Sequence, residues 1–180
     1  MTRSDAARNR QALLVAAEEV FTEHGPEAPL NLVTARSGLG RGTLYRHFPN
    51  RIALVAAIYG ARLDRYRDHA RAHAQDPGVL FEIIEMLAWD QYSIPGMFRI
   101  IHANTQTSAE AAALWERTEE VFAEPLELSR RAGAVRPDTE VSDILLVLAM
   151  LYGVAHSPSA ERQGRAAVER SLALVRQMLT

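Results

Sequence analysis

The chain has 180 residues and no cysteine, which excludes disulfides, zinc–thiolate sites and thiol catalysis and is compatible with a reducing compartment. With 48% hydrophobic residues it can bury a substantial core, as one domain or as two small ones. The net charge of −2 conceals an asymmetry: residues 1–73 carry a balance of +4, residues 74–180 a balance of −6, and every cation other than histidine is arginine. A basic head on an acidic body fits a chain that docks one end on phosphate and keeps the other away. The polar, Arg-containing N-terminus is not followed by an apolar run of about 7–15 residues, so no signal peptide is visible. The most apolar stretch, 144–154, is shorter than the roughly 20 residues that cross a bilayer. The expectation is a cytoplasmic protein without membrane attachment.

Residues 1–7 read as a short arm carrying Arg3. From Arg8 to Glu23 the apolar residues Leu13, Leu14, Ala17, Val20 and Phe21 recur at helical spacing, and Gly25-Pro26 stops the helix. Pro29 has no N–H to offer and suits the first position of a second helix, whose Leu30 and Val33 share a face. Gly38-Leu39-Gly40 is a tight turn in which either glycine can take positive φ. A third helix, Arg41 to Phe48, sets Leu44 and Phe48 four apart on its buried side. Arg41, Thr43, Tyr45, Arg46 and His47 fall on or beside its exposed side, and Pro49 ends it. Two short helices, a Gly-bearing turn and a cationic second helix make a helix-turn-helix, whose second helix enters the DNA major groove. The glycine spacing is G-x-G-x-G after a helix, whereas a dinucleotide loop needs G-x-G-x-x-G after a strand.

The run Gly38-Leu39-Gly40-Arg41-Gly42-Thr43-Leu44-Tyr45-Arg46-His47-Phe48-Pro49-Asn50-Arg51 resembles the DNA-binding signature of the TetR family of bacterial transcriptional regulators. The likeness runs at motif level from about Arg8 to Ile58 and continues to the C-terminus only as an all-helical pattern. It implies an all-α protein of about nine helices. Residues 1–50 would be a three-helix DNA-binding head with its motif at 29–48, and residues 51–180 a helical ligand-binding and dimerisation body. It implies that Tyr45 and His47 meet phosphate, that Thr43 meets phosphate or base, and that Arg41 with Gly42 forms the base-reading end. Thr34 and Arg51 would add backbone contacts. By chemistry alone, Arg41 and Arg46 suit guanine or phosphate, and Tyr45 also reads as a core aromatic. The arm at 1–7 is either a frayed terminus or a contact made only on DNA. Gly40 departs from the family's usual hydroxyl residue, and Ile52 from its usual acidic one.

Asn50 is a good N-cap for a fourth helix, Arg51 to His73, with Leu54, Val55, Ile58, Leu63 and Tyr66 inward and Arg62, Arg65, Arg67 and Arg71 outward. His69 and His73 are spaced for a metal, but the sequence offers no third ligand beside them, so they read as a solvated face and no metal or other cofactor is expected. Asp76-Pro77 reads as cap and first residue of a fifth helix to about Tyr92, followed by a sixth from Met97 to about Asn104. A seventh runs to about Ala132, kinked at Pro125 or split there. The eighth, about 141–156, is apolar on nearly every side and needs cover from two directions. After a loop at 157–163, the ninth, about 164–179, carries Val168, Leu172, Val175 and Leu179 on one stripe. Two such helices look like half of a four-helix bundle, which the resemblance makes a homodimer interface.

The resemblance also implies a small-molecule effector that releases a palindromic double-stranded operator. Met86, Trp89, Tyr92, Phe98, Ile101, His102, Trp115, Phe122 and Met150 are its candidate contacts, though each taken singly reads more readily as plain core. As a set they suit a largely apolar or aromatic ligand. No nucleophile elbow, metal cluster or phosphate loop organises the polar residues, so no catalytic residue is assigned. The competing reading is a DNA-binding architectural or partner-recruiting protein without an effector pocket.

Overall fold

The computed structural model describes residues 3–157 and 164–180. Nine helices occur among them: α1 (Arg3–His24), α2 (Leu30–Ser37), α3 (Arg41–His47), α4 (Arg51–Ala72), α5 (Val79–Ser93), α6 (Met97–Ala103), α7 (Ala109–Arg131), α8 (Val141–Ala155) and α9 (Arg165–Leu179). The described residues contain no strand. By packing they form two compact units, one of residues 1–61 with 94–115, the other of residues 62–93 with 116–180.

In the first unit α1, α2 and α3 pack on one another. Leu13, Ala17, Val20 and Phe21 of α1, Val33 of α2, Leu44 of α3 and Phe48 after it are all buried. Each such side chain contributes about 1.5–3 kcal/mol by leaving water. The expected arm is instead helical from Arg3 onward. Asp5 stands in the first turn, where a carboxylate suits the helix N-terminus, and it pairs with Arg8 one turn on. Arg36 of α2 reaches back to α1, with N–O distances of 3.1 Å to Glu19 and 2.8 Å to Glu23. Hydrogen bonding to Arg36 holds the Glu23 carboxyl below its ordinary value, and the same bond raises the Arg36 guanidinium. In the 94–115 segment, Gly96 adopts φ 91° and lies against Pro26, where a Cβ would stand 3.4 Å from the proline ring.

In the second unit α5, α8 and α9 pack together. Leu80, Ile83, Ile84 and Leu87 of α5, Ile144, Val147, Leu148 and Leu151 of α8, and Val168, Val175 and Leu179 of α9 are buried, with Leu172 half-buried. Arg62 does not face outward as its spacing predicts. It is 8% exposed and pairs with Asp90 at 3.2 Å, because α5 brings a carboxylate to that side of α4. Asp90 also accepts from Arg65 at 2.5 Å and from the Tyr66 hydroxyl. Helix α5 begins at Val79 and not at Pro77, because the Asp76 carboxylate caps Gly78 N–H at 2.8 Å and turns the chain first. Helix α7 is continuous through Pro125. The Glu140 N–H donates to the Asp143 carboxylate at 2.8 Å and starts α8. Of the loop expected at 157–163, residues 158–163 lie outside the described residues. Among the described residues no helix is long and apolar enough to cross a membrane.

Candidate nucleic-acid interface

The turn between α2 and α3 is made by one glycine in each of two conformations. Gly38 closes α2 in the left-handed region (φ 69°, ψ 12°), which glycine adopts without a Cβ clash. Gly40 is extended (φ −72°, ψ 156°), and its carbonyl accepts from the N–H groups of Thr43 and Leu44 at 2.9 and 3.1 Å, opening α3. The Ser37 hydroxyl accepts from Leu39 N–H at 3.3 Å and steadies the turn, with Leu39 half-buried beneath.

Burial of Leu44 and Phe48 then decides which way the rest of α3 faces. Arg41, Gly42, Tyr45 and Arg46 are exposed, and Thr43 is half-buried. Tyr45 is 51% exposed, so the reading of it as a core aromatic does not hold. Nothing lies within 4 Å of where a Cβ on Gly42 would stand. His47 is half-buried, with Nε2 inside and no hydrogen-bond partner there. Arg41, Tyr45 and Arg51 line one hollow of about 260 Å³ together with Asn31. Asn31 was missed from the sequence, although a polar residue in the first turn of the helix before the turn was the available signal. Thr34 points its hydroxyl back to the Asn31 carbonyl at 2.9 Å. Arg51 gives its guanidinium to the carbonyls of Pro26 and Ala28 at 2.5 and 2.7 Å, tying the α1–α2 loop to the start of α4. Asn50 caps that start, accepting from Ala53 N–H at 2.8 Å.

Residues 13–58, which span this arrangement, match the family model for bacterial regulatory proteins of the tetR family. Over 98% of its length the chain superposes on 98% of a TetR transcription regulatory protein from Mycobacterium vanbaalenii, with a TM-score of 0.65 and 28% identity. This chain belongs to the TetR family. A TetR transcriptional regulator from Streptomyces coelicolor is 27% identical, with a TM-score of 0.68 over 94% of this chain and 97% of that one. The HTH-type transcriptional repressor BepR of Brucella suis is 27% identical over 99% of this chain and 78% of its own length. TetR-family members are DNA-binding transcription factors and not enzymes, and the present chain is a regulator of that type.

The nine residues expected to meet an effector fall into separate groups in this TetR-family chain. In the first unit Phe98 lies 5.5 Å from Trp115 and 6.5 Å from His102 between ring centroids, and His102 lies 4.8 Å from Trp115. Tyr59 meets Phe98 edge-on, and Ile101 is buried beside them in sequence. In the second unit Trp89 and Tyr92 meet edge-on at 6.0 Å, and Arg165 stacks over Trp89 at 4.4 Å. Phe122 is fully buried, Met86 is half-buried, and Met150 is 55% exposed. Gln91 was missed: it is 4% exposed, its amide donates to Leu148 O at 3.4 Å, and its Oε1 has no partner. An amide four residues after Leu87 and seven after Ile84, on the same helix face, was the signal. A separate groove of about 420 Å³, lined by Ala70, Ala74, Val79, Pro125 and Leu128 with Glu124, Glu127 and Arg131, contains none of the nine.

Proposed function

We propose that this chain is a homodimeric repressor that binds a palindromic operator through α3 and is released by a small, largely apolar effector. The observation that carries the DNA-binding part is the sidedness of α3: Leu44 and Phe48 buried, with Arg41, Tyr45 and Arg46 exposed on the opposite side. In this reading Arg41 reads bases over the bare backbone of Gly42. Tyr45, Arg46 and Thr43 hold phosphate, and Thr34 and Arg51 add contacts from α2 and the start of α4. His47, with Nε2 buried, meets phosphate through Nδ1. Functionally, residues 1–50 act as the DNA-binding head and 51–180 as the effector and dimerisation part. Repression is supported by likeness to BepR, a repressor by name.

The dimer is supported by the outer faces of α8 and α9. Leu146 is 64% exposed, Leu174 48% and Met178 41%, large apolar side chains that a second copy would cover. Two symmetric heads then require a palindromic site. The effector is proposed to meet the aromatic group of the first unit, Phe98, His102 and Trp115 with Ile101; the candidates Met86, Trp89, Tyr92, Phe122 and Met150 belong to the second unit. The effector acts by binding the non-DNA-binding state more tightly.

The test is a gel shift on the chain's own upstream DNA at two salt concentrations, beside a Tyr45→Ala/Arg46→Ala double variant. Saturable, sequence-selective binding that weakens steeply with salt and is lost in the variant is the expected result. Ligand-stripped protein that selects no fragment from genomic DNA refutes the operator-binding reading. Selective binding that no apolar compound releases refutes the effector part alone.

A further inference from the structure

We propose that His69, His73 and Glu82 form a binding site for one divalent ion of the zinc class. His69 stands in the last turn of α4 and His73 just past its end, four residues on, with ring centroids 4.3 Å apart. Glu82, in the first turn of α5, supplies the third group that neighbouring sequence did not reveal. Its Oε2 lies 2.6 Å from His69 Nε2, and one ligand atom from each of the three residues falls within 4.8 Å of the others.

The orientation of His73 favours a ligand over a plain surface residue. Its Nδ1 lies 3.0 Å from the His69 carbonyl, so Nδ1–H donates there and Nε2 keeps its lone pair. Bonding of the second ring nitrogen to a backbone carbonyl is the usual outer support of a metal-bound histidine. The site also sits at the C-terminal end of α4, where the helix dipole favours a cation. Four-coordinate zinc with bonds of about 2.0–2.2 Å sets its ligand atoms about 3.3–3.5 Å apart. The His69–Glu82 contact at 2.6 Å would open by less than about 1 Å, and separations of up to 4.8 Å would close by up to about 1.5 Å, within the reach of side-chain rotation. Two imidazoles and one carboxylate select zinc-like ions over magnesium or calcium, which prefer all-oxygen sites. The His69 side chain is 27% exposed and the Glu82 side chain 45%, which leaves an entry path and a fourth position for water. A bound ion would fasten the end of α4 to the start of α5, where the pair now shares a hydrogen bond.

The test uses the tag-free full chain, stripped with chelator, titrated with Zn²⁺ by calorimetry and with Co²⁺ by visible absorption. The expected result is one ion per chain, a four-coordinate Co²⁺ spectrum, and a melting temperature that rises with free Zn²⁺. His73→Ala and Glu82→Gln each weaken uptake by about tenfold or more. Both residues are solvent-accessible, so both variants are expected to fold, which their circular dichroism checks. His156→Ala is the control: His156 makes the same Nδ1 contact, to Tyr152 O at 2.7 Å, but belongs to no such cluster among the described residues. Absence of stoichiometric uptake, or uptake equal in wild type and both variants, overturns the site. Loss on His73→Ala with none on Glu82→Gln overturns the three-ligand assignment.

Discussion

Truncating Leu146 and Leu174 to alanine together is the sharpest test of how the second unit is completed. On α8, Leu146, Ala149, Met150 and Gly153 are all exposed at spacings of three and four, so they form one stripe, and Leu174 and Met178 continue an apolar surface on α9. Each Leu→Ala change removes three carbons, worth about 0.8 kcal/mol apiece when buried. Weighting these by the exposed fractions of 64% and 48%, and counting both protomers, gives a loss of about 5 kcal/mol at full burial. That corresponds to nearly four decades in dimer Kd at about 1.4 kcal/mol per decade. Sedimentation equilibrium over a wide concentration range reads the change directly. The variant should sediment as a monomer at micromolar concentration while its far-ultraviolet spectrum stays native, since neither side chain supports the protomer core. A dimer constant within threefold of wild type would refute the assignment of this face.

The remaining predictions concern the interior and the polar links. Leu44→Ala, at 1% exposure, should lower the stability of the unit that contains it by about 2–5 kcal/mol in urea unfolding. Gly38→Ala meets no atom within 4 Å but must hold φ 69°, so its cost should be the backbone term alone, about 1–2 kcal/mol by the same assay. Asp90→Asn removes the carboxylate paired with the buried Arg62 and should destabilise by about 3–5 kcal/mol, far more than loss of a surface pair. The Glu23 carboxyl is held below its ordinary value near 4.5, first through its hydrogen bond to Arg36. Its contribution is therefore present above that pH and lost as pH falls through the lowered value. Melting temperature should drop on acidification below about pH 4.5 in wild type, and less steeply in Arg36→Ala.

Much of this protein follows from local rules legible in the chain. Leu44 and Phe48 four apart, glycines at 38 and 40, and Asn50 before a long apolar pattern determine the helix-turn-helix and the start of α4, because caps, turns and helical period depend on neighbouring residues alone. The same locality explains the Val168–Leu172–Val175–Leu179 stripe of α9. What the tertiary structure decided involves residues far apart in sequence. Arg62 reads as an outward cation until α5 delivers Asp90 beside it. Arg51 reads as a phosphate-facing cation at the start of α4, and only the fold adds the two carbonyls of the α1–α2 loop to it. His69 and His73 read as a solvated pair until Glu82 arrives from the next helix, and Gln91 reads as one of several polar residues near the end of α5 until burial strands its Oε1. A polar group's role depends on which partner is within about 3 Å, and helical periodicity gives the face of a residue but not what the fold brings to that face.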